Sequence, residues 1–277
     1  MGSWQPVQLL CVPPLKGLSN KMIHQSAIVD ESASIADDVT IGPFSVIGAD
    51  VEIAAGTWIG PHVVINGPTK IGKNNKIYQF ASVGGDPQDL KFAGEITHLE
   101  IGDDNTIREN VTISRGTEDG GGITRIGNHN LLMAYVHIAH DCQIGSHTIL
   151  ANSASCAGHV EVGDHVILGG FTLVHQFTKI GSRAFTSMGS IINQDVPPYV
   201  IVASSYGKAS GINKVGLKRS GYSDEVIRAI VNAYKLLIRS KKPREEALQS
   251  AADLIENYSE VKLMADFICQ SERGIIR

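Results

Sequence analysis

Aromatic residues, excess charge and long apolar runs are all scarce in this sequence. Of its 277 residues 6% are aromatic, and the formal net charge is only −4. So small a charge argues against a nucleic-acid binder that works through bulk charge. No apolar run approaches the roughly 18 residues that a membrane-spanning helix needs. With 29 glycines against so few aromatics, the composition suits a thin stacked solenoid better than a layered globule.

Cysteine is also sparse. The few cysteines lie far apart and form no CxxC pair, at Cys11, Cys142, Cys156 and Cys269. These spacings favour a reducing compartment and no structural metal.

The sequence is rich in a six-residue repeat. From Ile23 to Val83 every sixth residue is Ile or Val, and a small residue such as Gly42 or Gly60 often follows directly. On an α-helix, residues six apart would be spread around the whole surface rather than lie on one face. A β-strand repeats every two residues. A period of six is typical of a parallel β-helix, in which three hexads form one triangular coil. Residues one coil apart then stack at a spacing of about 4.8 Å.

The stretch 131–177 combines the repeat with most of the polar residues that can do chemistry. His140, Gly158 and Gln176 are 18 residues apart, so they are expected in one column. Gly158 leaves the middle position without a side chain, which opens a hollow between an imidazole and an amide. Since His137 and His159 are expected beside it, the sequence predicts a pocket here.

The repeat divides the chain into regions. We expect a β-helix over residues 23–200, with loops near 84–100 and 114–125 where the hexad lapses. Over 201–277 a crossover leads into a helical pattern, in which Ser223 is a predicted N-cap and Val226 begins an apolar stripe. This segment is expected to cover the open end of the β-helix.

Residues 1–22 form an unpatterned extension without Asp or Glu. Two interpretations are equally favoured: a floppy end or cloning scar, and the tail of a cleaved organellar presequence. The protein is therefore expected to be soluble, in the mitochondrial matrix or another organelle under the second interpretation and in the cytoplasm under the first.

Several motifs together resemble one family, the UDP-N-acetylglucosamine O-acyltransferases of lipid A biosynthesis. The resemblance runs from Met22 to Arg277. The motifs are IGPF at Ile41, NKIYQFASVG at Asn75, QDLK at Gln88, NLLMAYVHIAHDC at Asn130, LAN at Leu150, AGHV at Ala157, VHQF at Val174, QDVPPYVI at Gln194 and GLKR at Gly216. The hexads alone indicate only the superfamily of hexapeptide-repeat acyltransferases. These motifs narrow the resemblance to this one family.

The resemblance implies a fold and an activity. The fold is a left-handed parallel β-helix with a C-terminal helical cap, assembled as a homotrimer with active sites between adjacent subunits. The activity is transfer of a β-hydroxyacyl chain from acyl carrier protein to the 3-hydroxyl of UDP-N-acetylglucosamine, the first step of lipid A biosynthesis. The carrier-bound thioester is the co-substrate, and no cofactor, metal, nucleic acid or transmembrane segment is expected.

The resemblance also implies roles for single residues. His140 matches the general base, and Asp89 matches the carboxylate that orients it, although spacing alone places Asp89 at a solvated loop tip. Gly158 matches the backbone donor for the oxyanion. The implied contacts to sugar, phosphate, acyl chain, nucleotide or carrier are Gln88, Lys91, His137, His159, Gln176, Asn213 and Arg219.

The sequence departs from the family pattern at a few positions. Ser114 stands where a histidine is common, so no role is assigned to it. Val215 and Ser220 replace polar or charged residues that often help to hold the nucleotide. Met188 lies where a glycine accompanies long-chain enzymes, and its bulk predicts a preference for a medium acyl chain of about ten carbons.

Three alternatives differ in class. A metal enzyme resembling the gamma-class carbonic anhydrases needs three histidines, two of them five positions apart, and this sequence has no such pair. A catalytically silent scaffold is disfavoured because the implied site residues occur in matching motifs. The related N-acyltransferase of the same pathway carries an additional N-terminal uridine-binding domain, whereas only the short extension precedes the β-helix here.

Overall fold

The structure, a computed structural model, describes residues 23–203 and 205–277. The chain winds through three parallel sheets in turn, so that each sheet collects every third strand. This arrangement confirms the predicted left-handed parallel β-helix with C-terminal helices. Residues 1–22, with the extension and presequence interpretations that concern them, lie outside the described residues.

The three sheets are named A, B and C. Sheet A contains β3 (Thr40–Ile41), β6 (Trp58–Ile59), β9 (Lys76–Ile77), β12 (Thr106–Ile107), β15 (Leu131–Leu132), β18 (Ile149–Leu150), β21 (Ile167–Leu168), β24 (Phe185–Thr186), β26 (Val200–Ala203) and β27 (Lys208–Ile212). Sheet B contains β1 (Ile28–Val29), β4 (Val46–Ile47), β7 (Val64–Ile65), β10 (Ser82–Gly85), β13 (Thr112–Ser114), β16 (His137–Ile138), β19 (Ser155–Cys156), β22 (Leu173–Val174) and β25 (Ile191–Ile192). Sheet C contains β2 (Ser34–Ile35), β5 (Val51–Ile53), β8 (Thr69–Ile71), β11 (His98–Ile101), β14 (Ile123–Ile126), β17 (Gln143–Ile144), β20 (Glu161–Val162) and β23 (Lys179–Ile180).

The register follows the repeat. Ile138 of β16 pairs with Cys156 of β19, which pairs with Val174 of β22, so partners are 18 residues apart as predicted. Each of these side chains points into the core, where Ile138 and Cys156 are fully buried. The residue two positions before each of them, such as Val136 or Ala154, is buried as well. Two of every six residues therefore fill the core, one more than the strict hexad indicates.

The corners between sheets are tight turns. The corner residue has a positive φ in most coils, for example Tyr135 (φ 64°) between sheets A and B and Asp141 (φ 62°) between sheets B and C. The left-handed region is unfavourable for residues other than glycine, although Asp and Asn tolerate it better than most. We call the three rows of turns the A–B, B–C and C–A corners.

The C-terminal region is helical. Its helices are α1 (Lys214–Arg219), α2 (Asp224–Tyr234) with a π-helical continuation (Lys235–Arg239), α3 (Arg244–Ser250), α4 (Ala252–Asn257) and α5 (Ser259–Gln270). Ser223 is the N-cap of α2, as predicted, and its hydroxyl accepts from the Val226 N–H at 3.2 Å. The antiparallel pair β26–β27 joins these helices to sheet A, since the Tyr234 hydroxyl donates to the Ala209 carbonyl. None of the described helices is long and apolar enough to cross a membrane.

Candidate active site

The candidate site lies on the B–C corner. The chain leaves sheet B after Ile138, turns at His140 and Asp141, and enters sheet C at Gln143. The Nδ1 atom of His140 lies 2.7 Å from Oδ2 of Asp141, and their side chains are only 12% and 1% exposed. An imidazole held in this way keeps Nδ1 for the carboxylate and leaves Nε2 for other chemistry. Among the described residues, Nε2 of His140 has no hydrogen-bond partner.

The Asp141 carboxylate is held from the other side by an inserted loop. The Thr117 N–H donates to Oδ1 at 2.8 Å, and the Thr117 hydroxyl donates to Oδ2 at 2.6 Å. A buried carboxylate is expensive unless it receives hydrogen bonds, and here it receives three when the His140 bond is counted. Its orientation is therefore fixed.

Both insertions of the chain leave the stack at this same corner. One follows β10 and the other, which contains Thr117, follows β13. The buried Arg115 guanidinium ties them together, because it donates to the Gly84 carbonyl at 2.6 Å and to the Asp86 carboxylate. Gly120 then packs directly against the Asp141 carboxylate, where a Cβ atom would lie 2.0 Å from Cγ. The loop near residues 115–122 is thus part of the site.

Gly158 lies one coil further on, against the His140 ring. A Cβ atom at Gly158 would lie 2.6 Å from Cε1 and 2.8 Å from Nε2 of His140, so a side chain here would collide with the imidazole. The strand register confirms the predicted column. The predicted hollow is not empty within one chain, because the His140 ring itself takes up the space that Gly158 leaves. The Gly158 N–H has no acceptor among the described residues. On the C–A corner, by contrast, the equivalent Ser146 N–H is bound by Asp164 at 2.7 Å.

Two further imidazoles, those of His137 and His159, lie near His140. The His159 ring meets the His140 ring edge-on at 5.1 Å and stacks on Phe177 at 4.3 Å. His137 Nδ1 lies 2.8 Å from the Thr112 hydroxyl. Burial lowers the pKa of both His137 and His159, and for His137 the nearby His140 lowers it further. Both rings are therefore neutral at neutral pH and able to donate and accept hydrogen bonds.

The other predicted residues lie at varying distances from this cluster. Gln176 continues the column and is exposed, while its carbonyl accepts from Arg273 at 3.0 Å. Gln88 and Lys91 are exposed on the first loop, where Lys91 lies 3.7 Å from Asp119. Asn213 caps α1 through a bond from the Gly216 N–H, and the exposed Arg219 ends that helix. Within the described contacts of one chain, neither Asn213 nor Arg219 reaches the imidazoles.

Asp89 requires a correction of its expected position. The carboxylate on His140 Nδ1 belongs to Asp141, whereas Asp89 accepts from the Lys91 N–H at 3.0 Å on its own loop. The turn explains why Asp141 takes this place. Asp141 follows His140 directly at the corner, so its carboxylate reaches the imidazole without a loop. The charge of Asp89 still acts on the site, since it opposes the lowering of the His159 pKa by burial.

Met188 lies on the A–B corner, between β24 and β25. This corner is at the opposite edge of sheet B from His140, and the Met188 side chain is 78% exposed. A single chain therefore does not enclose an acyl groove between the two residues.

Metal chemistry and thiol chemistry both fit this site poorly. His140, Asp141 and His159 offer ligand atoms within 4.8 Å of one another. Ligands about 2.0–2.1 Å from a tetrahedral zinc ion lie about 3.3 Å apart, so the 2.7 Å between His140 and Asp141 is a hydrogen bond. Cys142 faces the core, where burial raises its pKa to about 12 and keeps the thiol protonated.

Two residues of the site were not predicted. Asp141 follows His140 directly in the sequence, and the corner geometry of the β-helix is the signal that could have identified it. Thr117 lies in an insertion without period, so no spacing argument indicates where its side chain points.

Known proteins match this chain in sequence and in fold. Residues 195–276 match the model of the second domain of UDP-N-acetylglucosamine O-acyltransferases, and residues 50–85 and 123–158 match the bacterial transferase hexapeptide repeat. The acyl-[acyl-carrier-protein]–UDP-N-acetylglucosamine O-acyltransferase of Xanthomonas axonopodis pv. citri is 51% identical over 94% of this chain and 99% of its own length.

Solved structures agree with these matches. The UDP-N-acetylglucosamine O-acyltransferase of Moraxella catarrhalis superposes with a TM-score of 0.90 at 49% identity, over 92% of this chain and all (100%) of that one. The UDP-N-acetylglucosamine acyltransferase of Arabidopsis superposes with a TM-score of 0.81 at 35% identity, over 92% and 100% of the two chains. The similarity thus extends over the β-helix and the helices together.

Proposed function

The chain belongs to the UDP-N-acetylglucosamine O-acyltransferase family, and from this premise we propose that His140 is the general base of its reaction. The reaction moves an acyl chain from acyl carrier protein to UDP-N-acetylglucosamine. One observation carries the proposal for His140. Its Nδ1 atom is bound to Asp141, which leaves Nε2 free beside Gly158.

The proposed reaction proceeds in two proton transfers. Nε2 of His140 removes the proton of the sugar 3-hydroxyl while that oxygen attacks the thioester carbonyl, and a base so placed contributes roughly 10²–10⁴-fold. The tetrahedral intermediate carries an oxyanion, to which the unpaired Gly158 N–H donates. When the C–S bond breaks, the imidazolium returns its proton to the leaving thiolate of the carrier. The ester and the free carrier thiol are the products, and His140 is neutral again.

The remaining predicted residues are assigned to the substrates. His137 and His159, both neutral and close to His140, are proposed to bind the sugar and phosphate, together with Gln176. Asp89 and Lys91, both on the first loop, are proposed to contact the substrates from there. Those left for the acyl chain, nucleotide or carrier are Gln88, Asn213 and Arg219. No cofactor is proposed, because the thioester itself supplies an activated acyl group.

We propose further that the site is completed by assembly into a trimer. Among the residues that the structure describes, sheet B and the two corners beside it carry most of the large apolar side chains that are exposed on one chain. They are Ile28, Phe44, Val64, Phe80, Tyr135, Phe171, Leu173, Phe177, Met188 and Ile191. Exposed apolar side chains gathered on one face in this way mark an interface.

Threefold symmetry fits this distribution. A heterologous interface joins two different patches and closes into a ring when the rotation allows. With sheet B turned toward the axis, the A–B corner of one copy meets the B–C corner of the next. Met188 of one chain then faces the His140 column of another. Sedimentation at micromolar concentration should give about three times the chain mass of 29.7 kDa, and an active monomer would contradict this arrangement.

The pathway and compartment are also proposals. We assign the enzyme to the first acyl transfer of lipid A biosynthesis. If residues 1–22 end a presequence, the site of action is an organelle such as the mitochondrial matrix; otherwise it is the cytoplasm.

The test is acyl transfer by the purified protein from carrier-linked hydroxyacyl chains to UDP-N-acetylglucosamine. Bound zinc and carbon dioxide hydration are measured on the same sample. The proposal predicts O-acylation of the sugar without added metal. Stoichiometric zinc with CO₂ hydration and no acyl transfer would instead support the carbonic anhydrase alternative.

A further inference from the structure

Thr117 holds the carboxylate of Asp141, the residue that binds Nδ1 of His140. Its N–H and its hydroxyl each donate to a different oxygen of Asp141, at 2.8 and 2.6 Å. Thr117 is itself buried, and it lies on the second insertion rather than in a coil. Two bonds from one residue fix both the position and the rotation of a carboxylate.

The rotation matters because Asp141 has two imidazoles within reach. Oδ2 lies 2.7 Å from His140 Nδ1 and 3.8 Å from His159 Nε2. A carboxylate released by Thr117 is free to turn toward His159, whose ring is fixed by its stacking on Phe177. His140 would then lose the acceptor that keeps its proton on Nδ1 and its Nε2 lone pair free.

We propose that Thr117 is a positioning residue for catalysis, which commits Asp141 to His140 and thereby sets the tautomer of the base. This inference rests on the proposed role of His140. It gives the insertion near residues 115–122 a function, since the Arg115 contacts and the absence of a side chain at Gly120 both keep Thr117 against the carboxylate.

The main experiment compares Thr117→Val with Thr117→Ser. Valine keeps the shape but loses the hydroxyl donor, whereas serine keeps the donor. For Thr117→Val we expect kcat to fall roughly 10- to 100-fold, because misplacement of a catalytic group by about 1 Å costs up to 10²-fold. The KM for UDP-N-acetylglucosamine should stay within about twofold, and Thr117→Ser should restore most of kcat.

The matched control is Thr148→Val. Thr148 is equally buried, and its hydroxyl binds Asn130 at 2.8 Å, away from Asp141. This variant loses the same kind of hydrogen bond and should lose stability, while kcat stays within about twofold of the wild type.

A spectroscopic readout separates positioning from folding. In protein labelled with ¹⁵N-histidine, the His140 signals are identified by their absence from His140→Ala. The wild type should show a protonated Nδ1 and an unprotonated Nε2, and Thr117→Val should show a mixture of tautomers. If Thr117→Val does not fold, Gly120→Ala provides the same test, because its Cβ atom would press on the Asp141 carboxylate.

The outcomes are distinguishable. Unchanged kcat and tautomer in Thr117→Val, a Thr117→Ser variant as poor as Thr117→Val, or an equal loss of kcat in Thr148→Val would each overturn the positioning role. Near wild-type turnover of His140→Ala would instead overturn the proposed function on which it rests.

Discussion

At the scale of single residues, the site depends on what surrounds each imidazole. Several histidines of this chain stand on corners, but their neighbours differ. His129, His147 and His165 stack on one another along the C–A corner at 4.8 and 4.9 Å, with no buried carboxylate beside them. His140 alone of the described histidines has a buried Asp within hydrogen-bond distance and a glycine against its ring. The chemistry therefore belongs to the surroundings rather than to the residue type.

Gly158→Ala tests how tightly the base is packed. The new methyl group would lie 2.6 Å from Cε1 of His140, so the imidazole must move away. We expect kcat to fall by about 10²-fold, because a catalytic group displaced by about 1 Å loses that much. Steady-state kinetics measures the loss. Gly211→Ala, where the new methyl group would meet no atom within 4 Å, is the control and should stay close to wild type.

The partly buried His137 should make the free energy of unfolding depend on pH. Burial, and then the nearby His140, lower its pKa in the folded state below the ordinary value of about 6.5. As the pH falls through about 6.5, the unfolded chain binds a proton that folded His137 resists. The free energy of unfolding should therefore decrease toward acid, and less so in His137→Gln.

Urea unfolding at about pH 7.5 and about pH 5.5 measures this difference, at one protein concentration because the chain is proposed to assemble. Thr112→Val removes the partner hydroxyl but keeps His137, so it should retain the wild-type pH dependence. An equal acid-side loss of stability in His137→Gln and the wild type would contradict the assignment.

At the scale of elements, the coils are held by buried polar ladders as well as by aliphatic side chains. Asn75, Asn105 and Asn130 lie above one another inside the C–A corner. The Asn105 N–H donates to Asn75 at 2.9 Å, and the Asn130 N–H donates to Asn105 at 2.9 Å. Each amide thus satisfies a backbone group of the next coil, which the aliphatic column cannot do.

Asn105→Ala should break this ladder. Asn105 is 1% exposed, and its loss leaves the Asn130 N–H and the Gly102 carbonyl each without this partner. A buried group left unsatisfied costs about 1–3 kcal/mol, so the free energy of unfolding should fall by about 2 kcal/mol or more. The exposed Asn152→Ala is the control, expected within about 0.5 kcal/mol of the wild type. Equal unfolding midpoints for the two variants would show that the ladder contributes nothing.

Elements with a period were predictable, and elements without one were not. The hexads of Ile and Val gave the register and the core, and with them the position of Gly158 beside His140. The asparagines of the ladder also follow the repeat. Because polar residues are common in turns, their sequence did not distinguish them from ordinary turn residues. Thr117 and Asp89 lie on insertions whose paths depend on contacts such as those of Arg115, so no repeat predicts which of them approaches the base.

At the scale of the whole molecule, the proposed assembly through the exposed apolar side chains of sheet B connects two predictions, the trimer and the preferred acyl length. If the A–B corner of one copy faces the B–C corner of the next, then Met188 limits a groove that begins at His140 of the neighbouring copy. The wild type should then prefer a donor of about ten carbons to one of about fourteen, because each methylene kept out of the groove forfeits about 0.8 kcal/mol.

Met188→Gly should shift this preference toward the longer chain. The measurement is competition between the two carrier-linked donors, for the wild type and for the variant. Phe185, three residues before Met188, and Tyr206, 18 residues after it, are left unchanged in the variant. A wild type that favours the longer donor, or a glycine variant with no shift, would show that Met188 does not set the length.

The most direct measurement of the central claim is the turnover of His140→Ala in acyl transfer to UDP-N-acetylglucosamine, beside His129→Ala. Both variants remove an imidazole from a corner of the β-helix, but only His140 pairs with Asp141 and faces Gly158. With the fold intact by circular dichroism, kcat of His140→Ala should fall by about 10² or more, while His129→Ala should stay within about twofold of the wild type. Turnover of His140→Ala close to that of the wild type would contradict the account.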